Sequence, residues 1–244
     1  GGYPYAVFNK EQMEARPINY NEESIYNRKL FSSGLNLNYS TPEFSVRSVS
    51  SYQFLDDLQE IDQDFTPMTL AFATQDQKLN ILAQEINIES SNNETYNWLF
   101  GVFGFKQLLD KTVMVEFGDD GRAMFNMPFS EYYTLTTQDL ANSGIAFFHQ
   151  STFDLGNFTF SAGIRADYEK ATLGYAEDRF INGNPNRAVE FESDMDFFEI
   201  LPKIALKYSI NPYFVPYATI AKGYNPGGFN SRIEREEDET FKPE

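Results

Sequence analysis

The sequence predicts an all-β protein, an antiparallel up-and-down transmembrane β-barrel, present here as a partial run of about eight strands with long outer loops. Three observations lead to this prediction. Apolar and polar residues alternate along many segments, short and long connections alternate between those segments, and aromatic residues flank the short connections. A period of two is typical of strands with one apolar face. Alternating link lengths are typical of outer-membrane barrels.

Eight segments have the composition or the alternation of strands. The clearest runs from 157 to 169, where the even positions from Phe158 to Tyr168 are apolar and the odd positions are polar, apart from Gly163. Similar alternation marks three other segments, and the remaining four are rich in aromatic and β-branched residues. The predicted strands are 31–39, 44–55, 80–90, 96–106, 143–153, 157–169, 197–208 and 213–222.

The connections between these strands alternate strictly in length. Short turns are predicted at 40–43, 91–95, 154–156 and 209–212, and long connections at 56–79, 107–142 and 170–196. Each long connection exceeds the roughly 12–15 residues beyond which a structureless loop is unusual in a compact domain. The aromatic residues near the short turns resemble the girdles that barrels place at the headgroup level. They are Tyr39, Phe44, Tyr96, Trp98, Phe153, Phe158, Tyr208 and Tyr213.

Composition excludes several classes of protein. The 244 residues include 36 acidic and 19 basic side chains, for a net charge of −17, which argues against a nucleic-acid partner because phosphate backbones require clustered Lys and Arg. The chain has no Cys, so disulfides, thiolate metal sites and a cysteine nucleophile are absent. The longest apolar stretch, 98–105, is far shorter than the ~20 residues of a transmembrane helix.

One motif resembles a known family. Residues 216–230 read PYATIAKGYNPGGFN and resemble a motif of TonB-dependent outer-membrane receptors, in which a strand with Tyr-Ala and Gly-Tyr runs into a Pro-Gly-Gly-Phe-Asn loop. Further passages agree with the family in the same order along the chain, from about Leu30 onward. They are QEINIES at 84–90 with WLFGVF at 98–103, FSAGIRADY at 160–168, PKIALKY at 202–208 and FKPE at 241–244.

The resemblance implies a larger parent protein, in which a plug domain fills a barrel of roughly 22 strands. Residues 1–244 are then expected to be part of the barrel domain, with the plug and the remaining strands outside the chain. A first residue that is Gly and a last stretch that reads FKPE agree with a fragment. The implied function is import of a scarce nutrient, most often a ferric siderophore, across the bacterial outer membrane. The implied partners are the siderophore, the TonB energy-transducing protein acting through the plug, and outer-membrane lipid.

Aromatic residues and Met are dense in the predicted long loops, and exposed apolar side chains on loops often mark a binding surface. In the family, loop aromatics and Arg residues meet the iron chelate. By that resemblance the candidate ligand-binding residues are Phe125, Tyr132, Tyr133, Arg122, Tyr224 and Phe229. Further Arg residues that offer paired donors to an anionic ligand are Arg179, Arg187 and Arg232. The alternative, that these aromatics pack loop against loop, stays open.

No residues point to catalysis, and neither an enzyme nor a cofactor is expected. His149 is the only His and has no Asp at a triad-like spacing, so it is expected to be structural or to face the lumen. Acidic residues cluster at 56–64, at 119–120 and at 234–239. Such clusters offer oxygen ligands to Ca²⁺, but the spacing fits no calcium-loop template, and solvated loop surfaces are expected.

Two other functions remain open at this point. One is a self-contained eight-stranded outer-membrane barrel with adhesion-type loops, because about eight strands close around a side-chain-filled interior. The other is a soluble β-sandwich that binds glycans. The position of the apolar rows decides between them. A barrel wall turns those rows outward to lipid, whereas a sandwich stacks them in a dry interior between two sheets.

Overall fold

The computed structural model describes residues 20–91, 95–225, 227–230 and 240–241. Eight strands form one antiparallel sheet in which each strand pairs with its neighbours in sequence. A short helix, α1 (Asp119–Met124), follows the fourth strand, and the two-residue strands β9 (Gly228–Phe229) and β10 (Thr240–Phe241) pair with each other. The sheet strands are β1 (Ile25–Ser40), β2 (Phe44–Asp62), β3 (Ala71–Ser90), β4 (Tyr96–Phe117), β5 (Tyr132–Leu155), β6 (Phe158–Ile181), β7 (Asn184–Tyr208) and β8 (Tyr217–Ala221).

The prediction of an antiparallel up-and-down sheet is confirmed, but the prediction of three long loops is wrong. The strands continue through most of those segments, so the connections shrink to residues 63–70, 118–131 and 182–183. We call the end of the sheet that carries these connections the loop end, and the opposite end, with the links at 41–43, 91–95 and 156–157, the turn end. The last predicted strand is also shorter than expected, because β8 begins only at Tyr217.

The extension of β6 and β7 has a local signal that the sequence analysis missed. Asn182 and Gly183 join the two strands, with φ angles of 51° and 77°. An Asn-Gly pair with positive φ at both positions is the preferred two-residue hairpin turn, because its twist matches that of the flanking strands. The predicted 27-residue loop at 170–196 is therefore a continuous hairpin.

The two faces of the sheet differ in composition and in exposure. One row across β3 to β6 contains Ile88, Phe100, His149 and Ile164, and the row beside it on the opposite face contains Asn87, Gly101, Phe148 and Arg165. Side chains of the first face spread apart: Phe147 is 56% exposed, whereas its neighbour Ala146 on the second face is 1% exposed. The sheet therefore curves, with a convex apolar face and a concave polar face.

The convex apolar belt lies in the ten or so residues of each strand nearest the turn end, the length that crosses a bilayer when strands tilt. Exposed apolar side chains cover this belt. They include Leu35, Leu37, Leu82, Ile86, Phe100, Phe147, Ile164, Ile200 and Ile204. Aromatic pairs lie at its turn-end border, where Tyr96 stacks on Phe153 with ring centroids 4.8 Å apart and Phe158 on Tyr208 at 4.4 Å.

In the described residues this sheet is a single layer with two free edges, at β1 and β8. The rows of apolar side chains are not stacked against a second sheet, which excludes the two-layer sandwich. The sheet does not close on itself either, so the self-contained small barrel is also wrong. A search of the same residues found no helix with the length and apolar character needed to cross a membrane.

Candidate functional site: the concave wall

Arg165 lies at the centre of the concave face and is held in place by three neighbours. Its Nε and Nη2 atoms donate to the carboxylate of Asp167 at 2.7–2.9 Å. Its guanidinium carbon lies 5.4 Å from the ring centroid of Phe148 and 5.9 Å from that of Phe103. A planar guanidinium is suited to both contacts, because it makes paired hydrogen bonds in its plane and stacks on rings above it. Arg165 is therefore a fixed part of the wall.

Gly101 makes room for this cluster. A Cβ atom at residue 101 would lie 2.0 Å from Cζ of Phe148 and 2.5 Å from Oδ1 of Asn87. The ring of Phe148 thus occupies the space that any other residue at 101 would fill. The glycine in the family-like passage WLFGVF at 98–103 is explained by this close approach rather than by its backbone angles.

The chain that follows β8 turns onto the concave face. We call residues 222–225 and 227–230 the strap. Lys222 pairs with Glu199 at 2.6 Å, and the hydroxyl of Tyr224 donates to Glu169 at 3.1 Å. Phe229 packs on a cluster around two buried residues of the concave face. The cluster consists of Leu173 and Tyr175, with Leu140, Val189 and Phe191 beside them. Two candidate residues, Tyr224 and Phe229, therefore lie on the concave wall.

Two further candidates lie beside each other at the loop end, above β4 and β5. Phe125, at the end of α1, contacts Phe117 edge-on with centroids 5.9 Å apart, and Tyr132 contacts the same ring at 5.5 Å. Phe117 and Tyr132 have the strand positions of the concave face, by alternation from Gly101 and Ala146. Phe125 is 58% exposed. A partly exposed aromatic cluster therefore lies at the mouth of the concave wall.

The remaining two candidates are placed differently. Tyr133 follows Tyr132 in the strand, so it lies on the convex face, where it stacks on Phe180 with centroids 4.4 Å apart. Arg122 donates to the carboxylate of Asp119 and to the carbonyl oxygen of Phe117. The structure thus brings Phe125, Tyr132, Arg122 and Tyr133 to the loop end of the sheet, but Tyr133 lies on the opposite face from Tyr132.

The other Arg residues suggested for an anionic ligand have carboxylate partners. Arg179 pairs with Glu177 at 3.1 Å, and Arg187 pairs with Asp178 at 2.7 Å. Arg232 lies outside the described residues. The described arginines at the loop end therefore bind protein carboxylates in this structure.

A second polar cluster on the concave face was missed by the sequence analysis. Asp57, which is 4% exposed, accepts hydrogen bonds from Arg28 at 2.9 and 3.1 Å, from Tyr26 at 3.3 Å and from Gln77 at 3.3 Å. These hydrogen bonds, that of Arg28 first, hold the pKa of Asp57 below its usual value against the opposing effect of burial. Burial, followed by the hydrogen bond to Asp57, raises the pKa of Tyr26. The cluster lies beyond the apolar belt, towards the loop end.

His149 has the structural one of the two placements expected for it. It lies on the convex face with Phe100 and Ile164, not towards the lumen. Its Nδ1 atom is 2.9 Å from the carbonyl oxygen of Leu99, its Nε2 atom is 2.9 Å from Oγ of Ser151, and its ring stacks on Phe100 with centroids 4.1 Å apart. Both ring nitrogens have partners within the sheet, which is a structural arrangement.

The first acidic cluster is not the solvated loop surface that was predicted. Asp57, Asp62 and Asp64 are all buried. Oδ1 of Asp62 accepts the backbone N–H groups of Asp64 and Phe65, and Asp64 accepts those of Thr66 and Leu70. These carboxylates shape the connection at 63–70 by satisfying its backbone donors. Within the described part of the chain, no group of three or more His, Cys, Asp or Glu side chains is placed to hold a metal ion. The cluster at 234–239 lies outside the described residues.

Comparison with known proteins agrees with this architecture. The family model of the TonB dependent receptor-like β-barrel matches residues 3–244. The ferric yersiniabactin uptake receptor FyuA from Yersinia pestis is similar in fold, with a TM-score of 0.70 and 19% identity over 89% of this chain and 32% of that receptor. The ferric citrate transporter FecA has a TM-score of 0.50 and 13% identity over 84% of this chain and 28% of its own. The chain thus spans about a third of the length of these receptors. It belongs to the TonB-dependent receptor-like β-barrel family.

Proposed function

We propose that this chain is part of the barrel wall of an outer-membrane importer whose ligand is a ferric siderophore or another iron complex. Family membership supports a transporter rather than an enzyme. Two proteins of similar fold are named for the uptake of ferric yersiniabactin and the transport of ferric citrate. Residues 1–244 would then be a piece of the barrel domain, with a plug domain and further strands elsewhere in the receptor.

The observation that carries this proposal is the division of the sheet into two chemically different faces. Exposed apolar side chains such as Leu37, Phe147 and Ile204 cover the convex face. Such a surface is stable against lipid acyl chains and unstable in water, because its burial from water contributes about 25 cal/mol per Å². Neighbouring strands satisfy each other's backbone groups, as a hydrocarbon environment requires. Outer-membrane lipid is therefore a proposed partner.

The concave face fits the inside of a transport barrel. It carries the ion pairs Arg28–Asp57 and Arg165–Asp167, together with Glu169. A polar wall of this kind suits a water-filled lumen or the surface of a soluble domain within it. We propose that a plug domain from the rest of the receptor occupies this space and that TonB acts on the receptor through that plug.

The proposed ligand contacts are the aromatic residues at the mouth of the concave wall and on the strap. Phe125 offers an exposed ring and Tyr132 a half-buried one at the loop end, and Tyr224 and Phe229 lie further along the same face. Aromatic rings bury a large area with little loss of conformational freedom when a ligand binds. Arg122 supports this surface through its bond to Phe117. Tyr133 stacks on Phe180 on the convex face and is not among the proposed contacts.

The test uses the full-length receptor that contains this chain. It would be expressed in a Gram-negative strain without its own siderophore receptors, and uptake of radioactive iron would be measured with a panel of hydroxamate, catecholate and carboxylate chelates. At least one chelate is expected to support uptake, and deletion of TonB is expected to abolish that uptake. Uptake that persists without TonB, or failure of every iron chelate while a sugar or a cobalamin is imported, would contradict the proposal.

The same cells test the proposed contacts. Phe125→Ala and Tyr132→Ala are expected to weaken chelate binding while the receptor reaches the membrane in normal amounts. Each substitution removes a ring of the aromatic cluster at the mouth, where Phe125 is exposed and Tyr132 is half-buried. Tyr133→Ala is the matched control, since it removes an adjacent ring that lies on the other face. Equal effects of Tyr132→Ala and Tyr133→Ala would contradict the assignment of the site to the concave side.

A further inference from the structure

Six leucines form an unbroken row across the concave face. Each is paired in register with the next on neighbouring strands from β1 to β6, and they are Leu30, Leu55, Leu79, Leu109, Leu140 and Leu173. Leu55 is an even number of residues from Asp57, and Leu109 from Gly101, so the alternation of a strand places the row on the same face as these two residues. One apolar residue type therefore crosses a wall that carries several ion pairs.

The middle of the leucine row is partly accessible in the described residues. Leu55, Leu79 and Leu109 are half-buried. Towards β6 the row is covered, because Leu173 is buried and Phe229 of the strap packs on the cluster that contains it. A molecule that removes the remaining apolar area from water gains binding free energy. The accessible part of the row thus offers an apolar contact surface on the concave wall.

Uncharged amide side chains border this row on both sides. They lie on the concave face because each is two residues from a leucine of the row. On the side of the turn end they are Gln53, Gln107 and Asn142, and on the side of the loop end they are Gln77 and Gln138. Amides donate and accept hydrogen bonds without carrying charge. The surroundings of the row therefore suit a polar but uncharged molecule.

Free cations are scarce beside the row and at the mouth above it. Arg28 pairs with Asp57, and the loop-end residues Arg179 and Arg187 also have carboxylate partners. Among the described cations that flank the row, Lys111 is the one without an ion pair. A molecule with several negative charges needs several cations to replace the hydration that it loses on binding. A single lysine does not meet that need.

The charge of a ferric chelate depends on its iron-binding groups. Three hydroxamates lose one proton each and balance the charge of Fe³⁺, so the complex is uncharged. Three catecholates lose two protons each and leave a complex with a large negative charge, and carboxylate chelates are anionic as well. An uncharged hydroxamate complex whose iron-binding groups are joined by methylene chains has an apolar outer surface and exposed carbonyl oxygens. Both features match the leucine row and its amide borders.

We propose that the leucine row binds the ligand at a deeper level than the mouth, and that this ligand is an uncharged ferric trihydroxamate with an apolar outer surface. This inference rests on the proposed transport function and narrows its ligand. Val113 and Val115 share the face of Leu109 and lie between it and Phe117 on β4, so apolar contact continues from the aromatic cluster at the mouth to the row.

The test is equilibrium binding of radioactive iron chelates to the purified full-length receptor. The probes are a linear ferric trihydroxamate, a ferric tris-catecholate and a ferric tricarboxylate. The trihydroxamate is expected to bind at least about tenfold more tightly than either anionic chelate, because the wall cannot compensate several negative charges. Iron uptake with the same three chelates in cells is expected to follow the same order.

Leucine substitutions locate the binding surface. Leu109→Ala is expected to weaken trihydroxamate binding by about fivefold to tenfold, because it removes part of the apolar contact area. Leu79→Ala, on the neighbouring strand, is a second variant with the same expected effect. Leu108→Ala is the matched control, since this adjacent leucine is 39% exposed on the convex face. The gel mobility of the folded barrel verifies that all three receptors fold.

A charge substitution tests the basis of selection. Gln107→Lys adds a second free cation beside the row, so it is expected to tighten tris-catecholate binding by about threefold to tenfold at low salt. Binding of the uncharged trihydroxamate is expected to change by less than about twofold. An unchanged affinity for the tris-catecholate would count against charge as the basis of selection.

Three results decide the proposal. Tighter binding of an anionic chelate by the unsubstituted receptor would overturn the inference. Equal affinities of the Leu109→Ala and Leu108→Ala receptors would also overturn it, and this is the result expected if another domain of the receptor covers the row. Failure of all three chelates to bind or to support uptake would instead refute the proposed transport function.

Discussion

Gly101→Ala is expected to destabilise the barrel wall, because the added methyl group enters space that the ring of Phe148 occupies. The new Cβ atom would lie 2.0 and 2.1 Å from two ring carbons and 2.5 Å from Oδ1 of Asn87. Carbon atoms in contact are normally about 3.5–4.0 Å apart. The ring must therefore move by about 1.5 Å or more, and Gly101 lies in a strand whose backbone is paired on both sides.

The magnitude follows from two effects. Overpacking of a close contact typically costs about 1–3 kcal/mol. Movement of the Phe148 ring also weakens its contact with the guanidinium of Arg165, now at 5.4 Å, which contributes about 0.5–1 kcal/mol at a partly exposed site. The substitution is therefore expected to lower the free energy of unfolding by about 1.5–4 kcal/mol.

Gly104→Ala is the matched control for this substitution. It lies on the same strand but on the convex face, where a Cβ atom would meet only the carbonyl oxygen of Gly144 at 3.6 Å. It is expected to change stability by no more than about 0.5 kcal/mol. Urea unfolding of the full-length receptor in lipid vesicles, followed by the gel mobility of the folded barrel, measures both. Equal stability of the Gly101→Ala and Gly104→Ala receptors would refute the reasoning, as would failure of Phe148→Leu to recover part of the loss.

Three further predictions follow from the two faces. Phe147→Arg is expected to lower the free energy of unfolding by about 2–4 kcal/mol in the same assay, because it places a charge on the face proposed to contact lipid. Gln150→Arg, on the concave face, should lower it clearly less. Asp57→Asn is expected to lower the free energy of unfolding at neutral pH. The difference from the unsubstituted receptor should shrink as the pH falls through the lowered pKa of Asp57, because the native carboxylate then protonates and its attraction to Arg28 is lost. Urea unfolding midpoints measured across this pH range test the prediction. His149→Phe should leave iron uptake unchanged, since His149 faces away from the lumen.

The sequence predicts the apolar belt well because a strand with one uniformly apolar face follows a simple pattern there. Every second residue must be apolar, so segments such as 157–169 and 197–208 alternate visibly and their strands are confirmed. Towards the loop end this requirement disappears. The even positions Glu190, Glu192, Asp194 and Asp196 of β7 share the side of Ile200, yet all are acidic. Hydrophobic periodicity ends where the apolar belt ends, although the strand continues, and the predicted loops are therefore too long.

Only part of the candidate site could be predicted from the sequence, because residue type does not reveal which face of a strand a side chain occupies. Residue type identified aromatic side chains that a binding surface would need, but only strand register assigns them to a face. Tyr132 and Tyr133 are indistinguishable by type, and one residue of alternation places them on opposite sides of the wall. Arg165 lies in a passage that resembles the family, but its role in the wall could not be predicted from that passage. Its partners Phe103 and Phe148 come from other strands. Such contacts depend on pairing between distant segments.

The position of the strap could not be predicted from the sequence, because it depends on where the chain leaves the register of the sheet. Its sequence was the strongest family resemblance in the chain, and Pro-Gly-Gly-Phe-Asn was interpreted as a loop that continues outward from a strand. Strand alternation continued from Ile220 would place Tyr224 with the lipid-facing residues, yet its hydroxyl bonds to Glu169 on the concave side. The chain must therefore leave the sheet between these two residues. A departure from the register, rather than any single residue type, is what places this segment on the concave face.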